Sequence, residues 1–315
     1  MLNAPAADPV VHRLYGIRIR TPWPVRGVAE FEEDWDVEFV ADGAEELARA
    51  AAFVPSEQAC RWAQYAALPD GGAYRRWTSL FEFLVTPDAR RIYARLLSGV
   101  DHEAMLAYLL VDALSFSMVR LGWEPLHGTA VLTDRGVVAF LGDSGAGKST
   151  LAALLVARGA QLVTDDMLIL NRDRETWLAE PGPPRLKLYR AMANITLGST
   201  SGSVRMNPET TKLIVPVSAT TEARPLRTIY LLSNDDEPAC RPSLRRLTPG
   251  EAFLRVLAHT AGHYPSDAVR LERQFTFVTT LVQQIPVKAF SYPRDTAAMR
   301  DVHDAVLADV ASSVE

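Results

Sequence analysis

The stretch LHGTAVLTDRGVVAFLGDSGAGKSTLAALLVARGAQLVTDD, Leu126 to Asp166, decides how this chain is read. Its centre, GDSGAGKS from Gly142 to Ser149, matches the phosphate-loop pattern G-x-x-x-x-G-K-[ST] in full. The apolar run GVVAFLG before it reads as a strand. KSTLAALLVARG after it reads as a helix closed by Arg158 and Gly159, a C-terminal cation and a C-cap. Glycines in such a loop let backbone N–H groups turn inward around phosphates, and the helix N-terminus adds positive potential. Gly142, Asp143, Ser144, Gly145, Ala146, Gly147, Lys148, Ser149 and Thr150 are therefore the expected nucleotide contacts. Lys148 is expected at the β/γ-phosphates of ATP and Ser149 on Mg2+.

Two acids come unusually early. Asp165 and Asp166 follow Ser149 by 16 and 17 residues, inside AQLVTDDMLIL, a second strand region. Strand, loop, helix and strand make a βαβ-like unit, which gathers ligands at the carboxyl ends of its strands. Taken without the loop, the pair is an ordinary turn or N-cap. Beside the loop, two adjacent acids are costly unless a cation is near. One then serves as a metal partner, expected at Asp165, and the other accepts a proton from an attacking hydroxyl, expected at Asp166. His127 stands 21 residues before Lys148. A histidine before glycine is structural more often than functional, but this one begins the segment that leads to the loop. An ABC-type ATPase is disfavoured, because no LSGGQ-like signature follows and the acids come too soon. A hydroxyl-directed kinase leads. A small-molecule hydroxyl kinase and a non-catalytic ATP-binding regulator are the alternatives.

The combination of HG at His127 and Gly128, GDSGAGKS, RG at Arg158 and Gly159, and LVTDD resembles the catalytic domain of the HPr kinase/phosphorylase family over about 41 residues. The whole chain is more similar to HPr-kinase-related proteins of peptide-modification gene clusters, including lasso-peptide precursor kinases. The pieces that carry this are RLYGIRI, PGPPRLKL, TTKLIVPV with Lys212, RPLRTIYLLS, LTPGEAFLRVLAHT and FSYPRD. The resemblance implies a P-loop α/β kinase domain, ATP and Mg2+ as cofactors, a peptide or protein acceptor serine, and a homo-oligomer. By it Asp166 is the proton acceptor, Asp165 stands on the metal side, and His127 is a further active-site residue. The bifunctional family carries a glutamate-containing signature after the DD strand, tied to phosphorolysis. Here that region is LAEPGPPRLKLYRAMANITLG with Glu180 as its only acid, so a kinase without useful phosphorylase activity is expected.

The rest of the chain frames this centre. The 315 residues carry a formal net charge of -5, which argues against a generic nucleic-acid partner. Residues 1–122 read as a smaller α+β domain and 123–315 as the kinase domain. HRLYGIRIR and WDVEFV alternate as strands do, and WTSLFEFLVTPDARRIYARL reads as two strands around a TPDAR turn. DHEAMLAYLLVDALSFSMVRLG reads as a long buried helix with Asp101 as N-cap, too broken by charge for a membrane span. Three helices are expected late in the chain, with caps at Thr248 and Ser266, and GSTSGSVRMNPET is expected to be a mobile loop. Cys60 and Cys240 read as free thiols, the N-terminus lacks a signal-peptide pattern, and a cytoplasmic protein is expected. EFEEDWDVEF reads as a solvated acidic face. Charge developing on a transferred phosphoryl group needs cations. Arg185, Lys187, Arg205, Lys212, Arg224 and Arg227 are the pool, with Lys212 and Arg227 ranked first because they lie by expected strands.

Overall fold

The structure is a computed structural model and describes residues 8–41, 43–78, 80–97, 101–232, 239–261 and 267–312. The fold is mixed α/β and divides into two compact units. One is Met1–Trp123 with Ser203–Ile214, the other Glu124–Gly202 with Val215–Glu315.

In the first unit HRLYGIRIR is two strands, β1 (Val10–Leu14) and β2 (Ile17–Thr21). Tyr15 and Gly16 between them both take positive φ, 58° and 76°, the tight turn that suits strand twist. There follow β3 (Val37–Ala41), α1 (Ala44–Ala51), β4 (Ala63–Ala67), β5 (Ala73–Trp77), β6 (Phe81–Val85) and β7 (Arg91–Leu96). They make a seven-stranded sheet in the order β1-β2-β3-β7-β6-β5-β4. The acidic run is held by arginines of the same sheet: Glu33 with Arg13 at 2.6 Å, Asp36 with Arg18 at 3.0 Å and Glu38 with Arg20 at 2.7 Å. These are intramolecular partners on a solvated face. The long apolar helix runs as α2 (His102–Tyr108), a π-turn (Leu109–Ala113) and α3 (Leu114–Arg120). Asp101 caps it by accepting from the Glu103 N–H at 2.9 Å. By length and composition His102–Arg120 could cross a membrane, but 78% of its most apolar window is buried in the protein. Tyr108 packs on Trp77 and Phe81, as a core helix does.

The second unit begins with β8 (Leu126–Thr133), β9 (Gly136–Leu141), α4 (Lys148–Val156), β10 (Gln161–Thr164), β11 (Met167–Leu168), β12 (Leu170–Asp173), β13 (Thr176–Ala179), β14 (Arg185–Tyr189) and α5 (Arg190–Leu197). Then come β15 (Val204–Arg205) and β16 (Lys212–Pro216), whose residues up to Ile214 fall in the first unit. The expected loop at 198–210 thus contains a strand: Val204 pairs with Ile214 and Arg205 with Leu213. The chain closes with β17 (Arg224–Leu232), β18 (Ser243–Arg246), α6 (Pro249–Leu257), α7 (Ala268–Gln284), β19 (Val287–Ser291) and α8 (Met299–Ser312). Thr248 caps α6. Asp267 caps α7 by accepting from the Arg270 N–H, and Ser266 lies outside the described residues.

The main sheet has nine strands, with β10-β8-β9-β17-β13-β12 as its path, β19 beside β17, β18 beside β19, and β11 on β8. The expected βαβ unit is present with one strand interposed. β10 is antiparallel to β8, and β8 is antiparallel to β9, so β10 runs with β9 without touching it. The strands of GVVAFLG and RPLRTIYLL are apolar on both faces because both are covered. Val137, Ala139 and Leu141 join one core cluster with Val256, Val278 and Leu281 of α6 and α7. On the other face α8 is tied down by Asp309, which accepts from the Tyr230 hydroxyl at 2.7 Å and from Lys288 at 2.7 Å. Cys60 and Cys240 are free and exposed.

Candidate active site

The reversed strand β8 explains the convergence of the site. Its start lies beside the ends of both β9 and β10: Gly128 pairs with Leu141, and Ala130 with Thr164. The residues after β9 form the phosphate loop, and those after β10 are the two aspartates. His127, the loop and the acid pair therefore meet at one edge although they span 40 positions of sequence.

The turn after β10 is held tightly. Asp166 has φ 68°, a left-handed backbone that aspartate tolerates better than most residues. The Thr164 hydroxyl donates to Met167 O at 2.7 Å, and the Asp166 carbonyl accepts from the Gly128 N–H at 3.3 Å. This turn sends the two carboxylates in different directions. Asp165 is buried and accepts from the Thr129 hydroxyl at 2.6 Å, the Ser149 hydroxyl at 2.9 Å and the Lys187 N–H at 2.9 Å. Asp166 is partly exposed and pairs with the Lys187 ammonium at 2.7 Å. Burial and the neighbouring Asp166 charge push Asp165 up. Burial pushes Asp166 the same way, but the Lys187 ammonium beside it outweighs burial and holds the carboxyl at about 2.

Lys148 is buried at the base of the loop. Its ammonium donates to Gly142 O at 2.7 Å, to Asp143 O at 3.0 Å and to His127 Nε2 at 3.0 Å. His127 Nδ1 lies 3.1 Å from the Asp166 carbonyl. A carbonyl only accepts, so Nδ1 carries the proton and Nε2 is left to accept from Lys148. Burial and the Lys148 charge hold this imidazole below its usual pKa, in keeping with a neutral ring. The histidine thus links the loop lysine to the backbone of the acid turn.

Gly147, with φ 97°, opens α4. A Cβ there would stand 2.4 Å from the Tyr292 hydroxyl. Asp143, Ser144 and Gly145 are exposed at the rim and Ala146 is buried. Thr150 lies in the first turn of α4. The donor set for a metal is the Ser149 hydroxyl and the Asp165 carboxylate, two hard oxygens already 2.9 Å apart. Among the described residues no cluster of three or more His, Cys, Asp or Glu could hold a metal ion. Mg2+ takes one or two protein oxygens and completes its shell with phosphate and water, and the Ser149 and Asp165 oxygens fit that demand.

The cation bonded to Asp166 is Lys187. Arg227 sits between Leu226 and Thr228, which pair with Val137 and Val138, at the opening end of β9 and away from the loop. A Cβ on Gly136 would touch its side chain, so Arg227 packs against the β8–β9 turn. Lys212 begins β16 and belongs to the first unit. Lys187 belongs to the pool of candidate cations, but one lysine in an alternating strand carries no mark of its partner. β14 brings it there, its backbone N–H on one aspartate and its ammonium on the other. Thr129, two residues beyond His127, likewise carries no mark of its bond to Asp165. Tyr292 and Arg294 also reach the loop: the tyrosine hydroxyl donates to Ala146 O at 3.2 Å, and the guanidinium to Gly145 O at 3.1 Å. Glu180 is buried, and burial pushes its carboxyl up.

No protein-family profile matches the chain. A curated relative, HPr kinase/phosphorylase of Prosthecochloris aestuarii, is 39% identical over 75 residues, 24% of this chain. The match spans 22% of that relative's length. A solved structure, the Hpr(Ser) kinase/phosphatase from Coxiella burnetii, aligns over 59% of this chain and 97% of that one, at 13% identity and a TM-score of 0.32. The sequence match is a local likeness to an HPr kinase/phosphorylase over those 75 residues.

Proposed function

We propose that this protein is an ATP-dependent kinase that transfers the γ-phosphoryl group to a hydroxyl, a serine of a peptide or protein such as a ribosomally made precursor peptide. One observation carries the reading: the phosphate-loop Ser149 bonds to Asp165 at 2.9 Å, and Lys187 joins the two acids, its N–H on Asp165 at 2.9 Å and its ammonium on Asp166 at 2.7 Å. The local likeness to an HPr kinase/phosphorylase supports it. Lys148 and the loop N–H groups hold the phosphates, and Ser149 and Asp165 hold Mg2+, which supplies charge neutralisation. The acceptor oxygen bonds to the γ-phosphorus, the bond to ADP breaks, and the hydroxyl proton passes to Asp166.

Lys187 gives this scheme a specific requirement. A carboxylate gripped by an ammonium is a poor proton acceptor, so transfer needs Lys187 to loosen its hold on Asp166. Phosphoryl oxygens are the natural competing partner for that ammonium, which then stabilises the charge they gain. His127 keeps Lys148 and the acid turn in register. A regulator that only senses nucleotide has no use for a second carboxylate at this point. The test is ADP formation from ATP and Mg2+, measured with and without serine-bearing peptides. Acceptor-dependent ADP is expected, and ADP formation indifferent to every hydroxyl acceptor would refute the proposal.

A further inference from the structure

The phosphate loop is gripped from outside by the segment that follows β19. An aromatic ladder crosses the sheet towards it. Phe140 of β9 stacks on Tyr230 of β17 at 5.6 Å between ring centroids, Tyr230 meets Phe290 of β19 at 5.8 Å, and Phe290 meets Tyr292 at 5.0 Å. The ladder therefore starts on the strand that feeds the loop and ends on the side chain that returns to it. Tyr292 donates to the Ala146 carbonyl, and Arg294 to the Gly145 carbonyl. The Tyr292 oxygen occupies the place where a side chain on residue 147 would begin. Glycine at 147 is thus demanded twice, by its φ of 97° and by the tyrosine.

These contacts bear on anion binding through peptide geometry. In a planar trans peptide the C=O and the following N–H point in opposite directions, and the chain has no cis bond among the described residues. A carbonyl of Ala146 fixed towards Tyr292 turns the Gly147 N–H away from it. The Gly145 carbonyl fixed towards Arg294 likewise turns the Ala146 N–H inward, where it donates to Asp143 O at 3.1 Å and tightens the loop. A phosphate-binding loop works only when its N–H groups are already aimed, because reorienting them on binding costs affinity.

We propose that Tyr292, assisted by Arg294, is a positioning residue that sets the peptide planes of the phosphate loop before nucleotide arrives, so that nucleotide affinity depends on it more than the transfer rate does. The inference rests on the phosphate-loop part of the proposed function and on nothing about the acceptor. Burial pushes the Tyr292 hydroxyl up to about 12, so it remains a donor across the working pH range.

The experiment uses the full chain, with Mg·ADP as the probe. Tyr292→Phe keeps the ring and the ladder and removes only the donor. Its dissociation constant for Mg·ADP is expected to rise about 5–10-fold, the effect of one net hydrogen bond. Arg294, which is exposed, is expected to matter less: about 2–3-fold for Arg294→Ala, with Arg294→Lys keeping most of the affinity. At saturating ATP the transfer rate of Tyr292→Phe should stay within about twofold, so the loss falls on KM for ATP. In the nucleotide-free protein, amide exchange should quicken across 142–148 while 287–291 keeps its protection, an outcome that a merely structural role would not give. An unchanged Mg·ADP affinity in Tyr292→Phe overturns the inference, and so does loosening spread equally over β19. A wild type that binds no ADP sinks the phosphate-loop reading and this inference with it. A wild type that binds ADP but transfers nothing sinks the kinase reading alone, and the affinity comparison still decides this one.

Discussion

Lys148 donates to two loop carbonyls and to His127 from a buried position. Lys148→Ala removes that charge from a helix that accepts alanine readily. Transfer should be lost while thermal unfolding stays cooperative and far-ultraviolet circular dichroism is unchanged. Near-normal turnover would mean the loop does not hold the phosphates. Lys187→Gln separates the two parts assigned to that lysine. It frees Asp166 from its ion pair but removes the cation from the phosphoryl group, and loss of such a donor costs about 10²–10³ in rate. Lower kcat with little change in nucleotide affinity is expected, whereas Arg227→Gln, at the far end of β9, should leave kcat as it is. A rate for Lys187→Gln equal to wild type would show that the lysine only balances charge. At this scale the sequence disclosed what has a fixed spacing from the loop: Lys148, Ser149, Asp165 and Asp166. It could not disclose Lys187, Thr129 or Tyr292, because each is brought in by strand pairing across tens of residues.

The elements were legible where local chemistry specifies them. Thr248 begins TPGEAFLRVL, and in the fold its side chain and that of Glu251 cap each other's backbone N–H groups in a capping box with proline at the start of the helix. Those hydrogen bonds and Arg245 hold Glu251 at about 2, below its usual 4.5. A carboxyl depressed on folding contributes stability that is present above the unfolded pKa and is lost as pH falls through the folded one. The stability difference between wild type and Glu251→Ala in urea should therefore be constant above about pH 5 and shrink as pH falls towards 2. A difference that grows on acidification would contradict the cap. The hairpin at Tyr15–Gly16 was legible only as one alternating stretch, because period-2 alternation continues through a two-residue turn. The π-turn in the long helix has no sequence signature, and a βαβ-like reading does not reveal β8 between β9 and β10, because alternation does not say which strand is a neighbour.

Across the whole molecule, the α/β character of the second half followed from one strand–loop–helix motif. The attachment of 203–214 to the first unit carries no mark in a polar, glycine-containing segment. The absence of a recognisable phosphorolysis signature predicts direction. Glu180, the acid of that region, is buried. Inorganic phosphate added to phosphorylated product should release little pyrophosphate, and rapid release would show that another group supports the reverse reaction. The most direct test of the central claim compares wild type with Asp166→Asn, using ATP, Mg2+ and serine-bearing peptides. Binding of Mg·ATP and gain of a serine-linked phosphate by mass spectrometry are measured separately. The account predicts a phosphorylated peptide from wild type, and from the variant a rate lower by about 10²–10⁴ at nearly unchanged Mg·ATP affinity. Transfer by Asp166→Asn at the wild-type rate would contradict it.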